Sequence, residues 1–493
     1  MGERMTPADV AFLLRETRTS PQHVGQLAVF RTPAGGFDYD RLVRLLEERI
    51  SLAPRYRQKV RTVPGHLANP MWVDDPAFDI GYHVRRSALP RPGTDRELLE
   101  FCARIESRLL DRARPLWEIY LVEGLSDGRL AILTKTHEAM VGDDGIDLAQ
   151  VILDAAPAPR RTVETIWMPQ AEPGPVALVR DAVLEVARRP LALADTARAA
   201  LRDVGTTVGR ATSLAGGVVS AGRAIVTRPV VSPLAAALSE QRRLAVARTR
   251  LADYRAVRDA FGGTVNDAML AVVTGALRGW LQSRSEPLRA ASTVRALVPV
   301  GVSDAVADRG DGGYGGTPPG HGDGEWSGLV RPLLVDLPVG EPDPVLRLAQ
   351  LRYAMASHKA SGRAVGADSL AALSGFAPPT LHALGARAAS GLTRRMFQLV
   401  VTNVPGPQWP LYASGARMTE TFPIVPLGPG QALSIAVSSY DGGVFYGINA
   451  DRDAVPDVAQ VAELIEESLA ELVAVAAEAS NPRGGGRGSA VRR

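Results

Sequence analysis

The residues most able to do chemistry lie in one short stretch, residues 132–148, ILTKTHEAMVGDDGIDL. His137 stands between an alternating apolar run, typical of a strand, and a cluster of acids and glycines. An imidazole has a pKa of about 6.5, so it can take a proton from a hydroxyl and return it later. This arrangement makes His137 a candidate general base at a strand end.

Glu138 is the second candidate base in this stretch. A carboxylate of ordinary pKa is a weak base towards an alcohol, so burial would have to raise its pKa by about 2 units or more. His137 can equally be a buried structural residue. The residues therefore leave three interpretations open: His137 as the base, His137 as a structural residue, and Glu138 as the base.

Three polar residues stand at the ends of predicted elements in the second half of the chain. Asn266 and Asp267 fall in the first turn of a helix predicted over GGTVNDAMLAVVTGALRGWLQ, where Thr264 can cap it and they can satisfy backbone amides. Asn403 ends a strand predicted over FQLVVTNVPGP. There the prolines are expected to stop strand pairing, and the glycine is expected to permit an unusual turn.

Other chemical motifs in the sequence are weak. GLSDG at 124–128 matches the nucleophile elbow of hydrolases, but that elbow needs a helix after the serine, and here a second strand follows. Neither a P-loop nor a zinc-binding His pair occurs, and the other histidines lack ligand spacing; they are at 23, 66, 83, 321, 358 and 382. We expect no metal, no bound cofactor and no covalent relay through a serine or a cysteine.

Hydrophobic periodicity predicts a mixed α/β chain. Thr6-Pro7-Ala8-Asp9 is a strong helix start, HVGQLAVFRT predicts a strand, and DYDRLVRLLEERIS predicts an amphipathic helix. PLWEIYLVEGLSDGRLAILTKTH predicts two strands joined by a turn, with Trp117 as a core anchor. Strands of the same kind follow residue 246, and VPDVAQVAELIEESLAELVAVAAEA predicts a closing helix.

A chain of 493 residues is too long for one ordinary core. We predict an N-terminal domain over residues 1–155, an Ala- and Arg-rich helical linker over 156–245, a C-terminal domain over 246–478 and a disordered Gly/Arg tail over 479–493. The linker is expected either to pack on the domains as a helical crossover or to offer a basic amphipathic surface to anionic lipid or acyl chains.

The bulk composition is that of a globular protein. A net charge of +3, with 46% hydrophobic and 22% charged residues, does not favour a nucleic-acid partner. A single cysteine, Cys102, excludes an internal disulfide and suits a reducing compartment. The N-terminus carries charges where a signal peptide needs an apolar core, and no apolar run reaches the roughly 18 residues that span a bilayer. The expected location is cytoplasmic.

Four blocks together resemble the bacterial wax ester synthase/diacylglycerol acyltransferase family. They occur in family order over nearly the whole chain: MTPADVAFLLRE with PQHVGQLAVF, RPLWEIYLVEGL, GGTVNDAMLAVVTGALR, and LVVTNVPGP. The resemblance implies an α/β (α+β) fold of two chloramphenicol-acetyltransferase-like domains joined by a helical crossover. It implies that acyl-CoA and an acceptor alcohol meet in a channel between the domains, and that Asn266, Asp267 and Asn403 bind substrate.

The family's catalytic motif, His-His-x-x-x-Asp-Gly, is altered in this chain. His137 aligns with the first histidine, Glu138 occupies the position of the second, which is the family's base, and Gly142-Asp143 followed by Asp144-Gly145 replaces the Asp-Gly pair. In one alignment with the family, the base has been lost and His137 is the surviving first histidine. In the other, the strand has slipped so that His137 serves as the base, with Asp143 or Asp144 as the supporting acid after a longer loop. A slip of one residue turns every side chain of a strand to the opposite face, although a rebuilt loop at the strand end could re-aim His137.

The function implied by the resemblance is direct transfer of a long-chain acyl group from acyl-CoA, the co-substrate, to diacylglycerol or a fatty alcohol. The product would be triacylglycerol or wax ester. The alternative is a catalytically impaired relative that binds acyl-CoA or lipid without turnover. The resemblance also implies peripheral contact with a lipid-droplet surface or with the inner face of the plasma membrane.

Overall fold

The computed structural model of the protein describes residues 2–141, 148–160, 167–188, 233–301, 330–361 and 397–480. Several predicted features lie outside the described residues. These are Asp143 and Asp144, the tail after 480 and most of the predicted linker.

The first half of the chain alternates helices with strands. Its helices are α1 (Pro7–Arg15), α2 (Tyr39–Arg49), α3 (Ile80–His83), α4 (Asp95–Glu106), α5 (Leu148–Ile152) and α6 (Pro175–Arg188). Its strands are β1 (Glu3–Arg4), β2 (His23–Arg31), β3 (Gln58–Arg61), β4 (Met71–Asp74), β5 (Val84–Ala88), β6 (Trp117–Leu125), β7 (Arg129–His137) and β8 (Leu153–Asp154).

The second half repeats this mixture. Its strands are β9 (Arg242–Arg250), β10 (Val294–Gly301), β11 (Val330–Leu337), β12 (Leu399–Pro405), β13 (Tyr412–Ala413), β14 (Ala416–Ile424), β15 (Leu433–Tyr440) and β16 (Gly443–Asp451). Its helices are α7 (Leu251–Phe261), α8 (Val265–Ser283), α9 (Pro344–Ser361) and α10 (Val458–Ser480).

Two large sheets organise the described residues. The first has the order β5-β6-β7-β2-β14-β13-β8, and the second has the order β11-β10-β12-β15-β16-β9. Strands β13 and β14 come from the second half of the chain, yet β14 pairs antiparallel with β2 from Arg417↔Arg31 to Ile424↔Gly25. The sheet of the first half is therefore completed by the second half, and sheet membership does not follow the sequence division at 245.

Local sequence signals account for several element ends. Helix α1 starts after Thr6, as predicted, and the structure adds that Thr6 and Asp9 form a reciprocal capping box there. Trp117 is fully buried, and its Nε1–H donates to the backbone oxygen of Tyr56 at 2.7 Å, which confirms it as a core anchor. The predicted helices and strands named above are all present in the described residues.

Strand β12 ends at Pro405, but the expectation that Gly406 permits an unusual turn is wrong. The parallel ladder between β12 and β15 continues through Pro405↔Ser439, and Gly406 then donates its N–H to the backbone oxygen of Ser439. A Cβ on Gly406 would lie 2.4 Å from that oxygen. The glycine is therefore required because two backbones approach closely there, and not because a turn needs an unusual φ.

Within the described residues, no individual helix is both long and apolar enough to cross a bilayer. Helices α7 and α8 meet that test only when taken together, and they are bent by 102° relative to each other.

Candidate active site

Two histidines meet where β7 ends and β2 begins. His23 and His137 are direct antiparallel partners, so the pairing register alone brings them together. Their rings are 5.8 Å apart in an edge-to-face arrangement, and the exposed fractions of the two residues are 2% and 0%. His137 is therefore enclosed by protein at the end of its strand.

The side chain of Glu16, the residue after α1, joins this pair. Its Oε1 lies 3.0 Å from Nε2 of His23 and 3.4 Å from Nε2 of His137, and its Oε2 accepts a hydrogen bond from Nη2 of Arg112 at 2.8 Å. Burial by itself would raise the pKa of Glu16, but the contacts with His137 and His23 hold that pKa well below its usual range. Glu16 is thus a buried carboxylate ion.

The ring of His137 has protein groups at both nitrogens. Its Nδ1 accepts the backbone N–H of Ala139 at 3.0 Å, and its Nε2 lies 3.4 Å from Oε1 of Glu16. Burial lowers the pKa of the neighbouring His23 to about 3, against the opposing effect of Glu16, so His23 is neutral. Both ring nitrogens of His137 therefore face protein groups, and the side chain has no exposed surface.

Glu138 has a different environment, although it follows His137 directly. It opens the short turn Glu138–Met140 and is half-buried, and its backbone N–H donates to the oxygen of Gln22 at 2.9 Å. Burial raises the pKa of Glu138 to about 7, and the positive charge of Arg15 opposes that rise. Its carboxylate accepts no hydrogen bond from the residues that the structure describes.

The polar residues predicted in the second half divide into two groups. Asn403, near the end of β12, donates from Nδ2 to Oδ1 of Asn266 in the first turn of α8, at 3.0 Å. Asp267 instead forms a capping box with Thr264: the N–H of Thr264 donates to Oδ2 of Asp267, and the N–H of Asp267 donates to Oγ1 of Thr264. In the described part of the chain, no hydrogen bond joins the asparagine pair to His137 or Glu138.

The sequence did not single out Glu16, Arg15, Arg112 or His23. Their only signal was indirect: His23 begins a strand of the same apolar pattern as the one that ends at His137, and adjacent antiparallel strands bring such ends together. Across the described ranges, no group of three or more His, Cys, Asp and Glu side chains is placed to hold a metal ion.

Comparison with known proteins agrees with this architecture. The profile of the wax ester synthase/diacylglycerol acyltransferase catalytic domain matches residues 5–269, and that of the WS/DGAT C-terminal domain matches residues 328–473. A Mycobacterium tuberculosis protein named as a probable diacylglycerol O-acyltransferase, tgs1, is 33% identical over 96% of each chain. Another from that organism, tgs3, is 42% identical over 52% of this chain and 96% of its own.

Solved structures show the same fold. The wax ester synthase/diacylglycerol acyltransferase of Marinobacter aquaeolei VT8 superimposes with a TM-score of 0.66 at 26% identity, over 96% of this chain and 100% of its own. The starter condensation domain of rhizomide synthetase RzmA shares the fold at a TM-score of 0.53 and 12% identity, over 98% of this chain and 96% of its own.

These features define an acyltransferase of the two-domain, chloramphenicol-acetyltransferase-like class. Within that class, the chain belongs to the wax ester synthase/diacylglycerol acyltransferase family. The sequence-based prediction of the family, of the fold class and of an acyl-transfer enzyme is confirmed.

Proposed function

We propose that this protein moves an acyl group from acyl-CoA to the hydroxyl of diacylglycerol or of a fatty alcohol, and that Glu138 is the base. One observation carries the choice of base. Glu138 occupies the position of the motif's second histidine and has a pKa raised to about 7, whereas His137 is fully buried with both ring nitrogens facing protein groups.

The proposed reaction is a direct transfer. The carboxylate of Glu138 takes the proton of the acceptor hydroxyl while the hydroxyl oxygen attacks the carbonyl carbon of the thioester. The tetrahedral intermediate then breaks its bond to sulfur, and protonated Glu138 returns the proton to the departing thiolate of CoA. A carboxyl with a pKa of about 7 is half ionised at neutral pH, which suits both proton transfers.

Asn266 and Asn403 are the proposed substrate contacts. Their mutual hydrogen bond uses one N–H of Asn403, so the other amide N–H groups of the pair can donate to a substrate oxygen that gains negative charge. We assign Asp267 to capping α8 rather than to substrate, because both its amide and its carboxylate bond to Thr264. A supporting role for Asp143 or Asp144 stays a prediction.

The test is acyl-CoA turnover with diolein or hexadecanol as acceptor. We expect Glu138→Gln, which keeps the shape of the side chain, to lose about 10²- to 10⁴-fold in rate. Glu138→His supplies an imidazole at the same position and should retain far more activity. Glu100→Gln, a change of the same kind on the exposed face of α4, should leave the rate at the parental level.

Two results would contradict this assignment. If Glu138→Gln turns over at the parental rate, Glu138 is not the base. If the unmodified protein binds acyl-CoA but shows no turnover with either acceptor, the chain is a binding protein, as the alternative interpretation of its sequence holds.

We also propose that the enzyme meets its water-insoluble acceptor at a lipid surface, in part through α6. One side of this helix is buried, where Leu178 and Ala182 pack against Val63 and Met71. On the exposed side, Val176 is 83% exposed, and Met168, just before the helix, is 81% exposed. The apolar side chains exposed here are the kind that insert into a lipid surface. The cytoplasmic location stays a prediction.

Vesicle flotation tests this surface. With vesicles of phosphatidylcholine and phosphatidylglycerol, we expect the double variant Val176→Asp with Met168→Asp to lower the bound fraction severalfold. Leu346→Asp, which introduces the same charge at an exposed leucine of α9, should not change it. Equal flotation of all three proteins would remove α6 from the proposed lipid contact.

A further inference from the structure

The end of α1 sends two adjacent charged side chains towards the strand end that carries Glu138. Helix α1 packs against the turn Glu138–Met140, and its last residue, Arg15, stabilises the ionised form of Glu138. The next residue, Glu16, turns instead to the histidine pair. Arg15 and Glu16, which are adjacent in sequence, therefore act on two adjacent residues at the end of β7: Arg15 on Glu138, and Glu16 on His137.

The carboxylate of Glu16 joins segments that are far apart in sequence. Oε1 faces the first residue of β2 and the last residue of β7, and Oε2 receives hydrogen bonds from Nη2 and Nε of Arg112, at 2.8 and 3.2 Å, from the segment between α4 and β6. Lys135 of β7 adds a further positive charge near it. The Glu16 side chain is only 2% exposed, so water does not compete for these contacts.

The contacts of Glu16 with His23, His137 and Arg112 lie one residue away from the proposed base, Glu138. The N–H of Glu138 donates to the oxygen of Gln22, and Gln22 directly precedes His23. The N–H of His137 donates to the oxygen of Leu116, just before β6. The backbone that presents Glu138 is thus held from both neighbouring strands, while the Glu16 carboxylate holds the side chains of the residues next to it.

We infer that Glu16 is a positioning residue for Glu138: its buried carboxylate, held between His23, His137 and Arg112, fixes the strand end from which Glu138 reaches the substrate. The inference rests on the proposed function, because it gives the histidine pair a role only if Glu138 is the base. A base that is displaced by about 1 Å can cost roughly 10²-fold in rate, so a positioning residue can have a large effect without touching substrate.

The experiment compares steady-state kinetics across pH for Glu16→Gln and Arg15→Met. Glu16→Gln keeps the size of the side chain but removes its charge, and we expect kcat to fall about 10- to 100-fold. The KM for acyl-CoA and the midpoint of the pH profile should stay unchanged. Arg15→Met should move that midpoint upwards, because the cation that favours ionised Glu138 is gone. If Glu16 only supported folding, its substitution would not lower kcat while leaving KM and the midpoint of the pH profile unchanged.

A double variant tests whether Glu16 acts through Glu138. If it does, Glu16→Gln combined with Glu138→Gln should be no slower than Glu138→Gln alone, because residues that act as a unit are not additive. Losses that multiply would overturn the inference, and so would a parental kcat in folded Glu16→Gln. Should that variant fail to fold, Arg112→Met removes the half-exposed partner of Oε2 instead, and we expect a smaller fall in kcat at unchanged KM.

The failure of this inference can be told apart from the failure of the proposed function. An inactive Glu138→Gln beside a fully active Glu16→Gln overturns only the positioning role. An active Glu138→Gln overturns the assignment of the base, and the positioning role with it.

Discussion

Asn403 donates a hydrogen bond to Asn266 across 3.0 Å, which ties the end of β12 to the first turn of α8 although 137 positions separate the two residues. Both residues are half-buried. The contact brings together two amides that the sequence shows only as separate polar residues at the ends of two elements.

This pair leads to the first prediction. Asn403→Ala removes the donor and leaves Oδ1 of Asn266 without it, so we expect a loss of about 1 kcal/mol in the free energy of unfolding. As a substrate contact, the pair should also contribute to rate, and kcat/KM should fall about 10- to 100-fold. Urea unfolding and steady-state kinetics measure the two effects. Thr264→Ala, which removes only the helix cap, should lower stability by about 1 kcal/mol and leave kcat/KM nearly unchanged.

The second prediction concerns the pH dependence of activity. Because the pKa of Glu138 is raised to about 7, its carboxyl is protonated at lower pH and cannot accept the proton of the alcohol. We expect kcat/KM to rise with pH through a midpoint of about 7 and then to level off. In Glu138→His the midpoint should become that of the new imidazole. A parental profile that stays flat between pH 5 and about 8 would contradict the assignment of Glu138.

The third prediction concerns the pH dependence of stability. Glu106 lies at a small cavity that it shares with Arg242 and Asn449 of the second half, and burial raises its pKa to about 7, against the opposing charge of Lys135. The unfolded chain releases this proton at about pH 4.5 and the folded chain at about pH 7, so the folded state binds more protons between these values. This group's contribution to stability therefore declines as pH rises through that window.

Glu106→Gln isolates that contribution. The variant lacks the titration, so its free energy of unfolding relative to the parent should increase between about pH 4.5 and 7, by up to roughly 3 kcal/mol. Urea unfolding of both proteins over this pH range measures the difference, and groups that titrate equally in both cancel. A constant difference across the range would show that Glu106 titrates normally.

The fourth prediction concerns the core of the first half. Trp117 is fully buried between Tyr56 and His83, and its indole N–H donates to the backbone oxygen of Tyr56. We expect Trp117→Ala to cost about 3–5 kcal/mol of unfolding free energy, since it leaves a large cavity. Trp117→Phe keeps most of the packing but removes the hydrogen bond from the indole N–H to the Tyr56 oxygen, so a smaller loss of about 1–3 kcal/mol is expected. Thermal and urea unfolding measure both, and similar losses in the two variants would argue against the packing role.

Much of the fold could be predicted because its signals are local. The capping boxes of Thr6 with Asp9 and of Thr264 with Asp267 each lie within four residues, and strand alternation shows directly in β6 and β7. The placement of β14 beside β2 could not be predicted in this way, because an alternating strand carries no information about which sheet will pair with it.

For the candidate site, too, the local features could be predicted from the sequence and the features that depend on tertiary contacts could not. The sequence by itself determined that His137 and Glu138 stand together at a strand end, and that the chain carries the blocks of an acyltransferase family. The proposed choice of Glu138 over His137 as the base rests on the tertiary structure alone. The protonation of a side chain depends on burial and on charges within a few ångströms, and the groups that enclose His137 and surround Glu138 come from α1, β2 and the segment before β6.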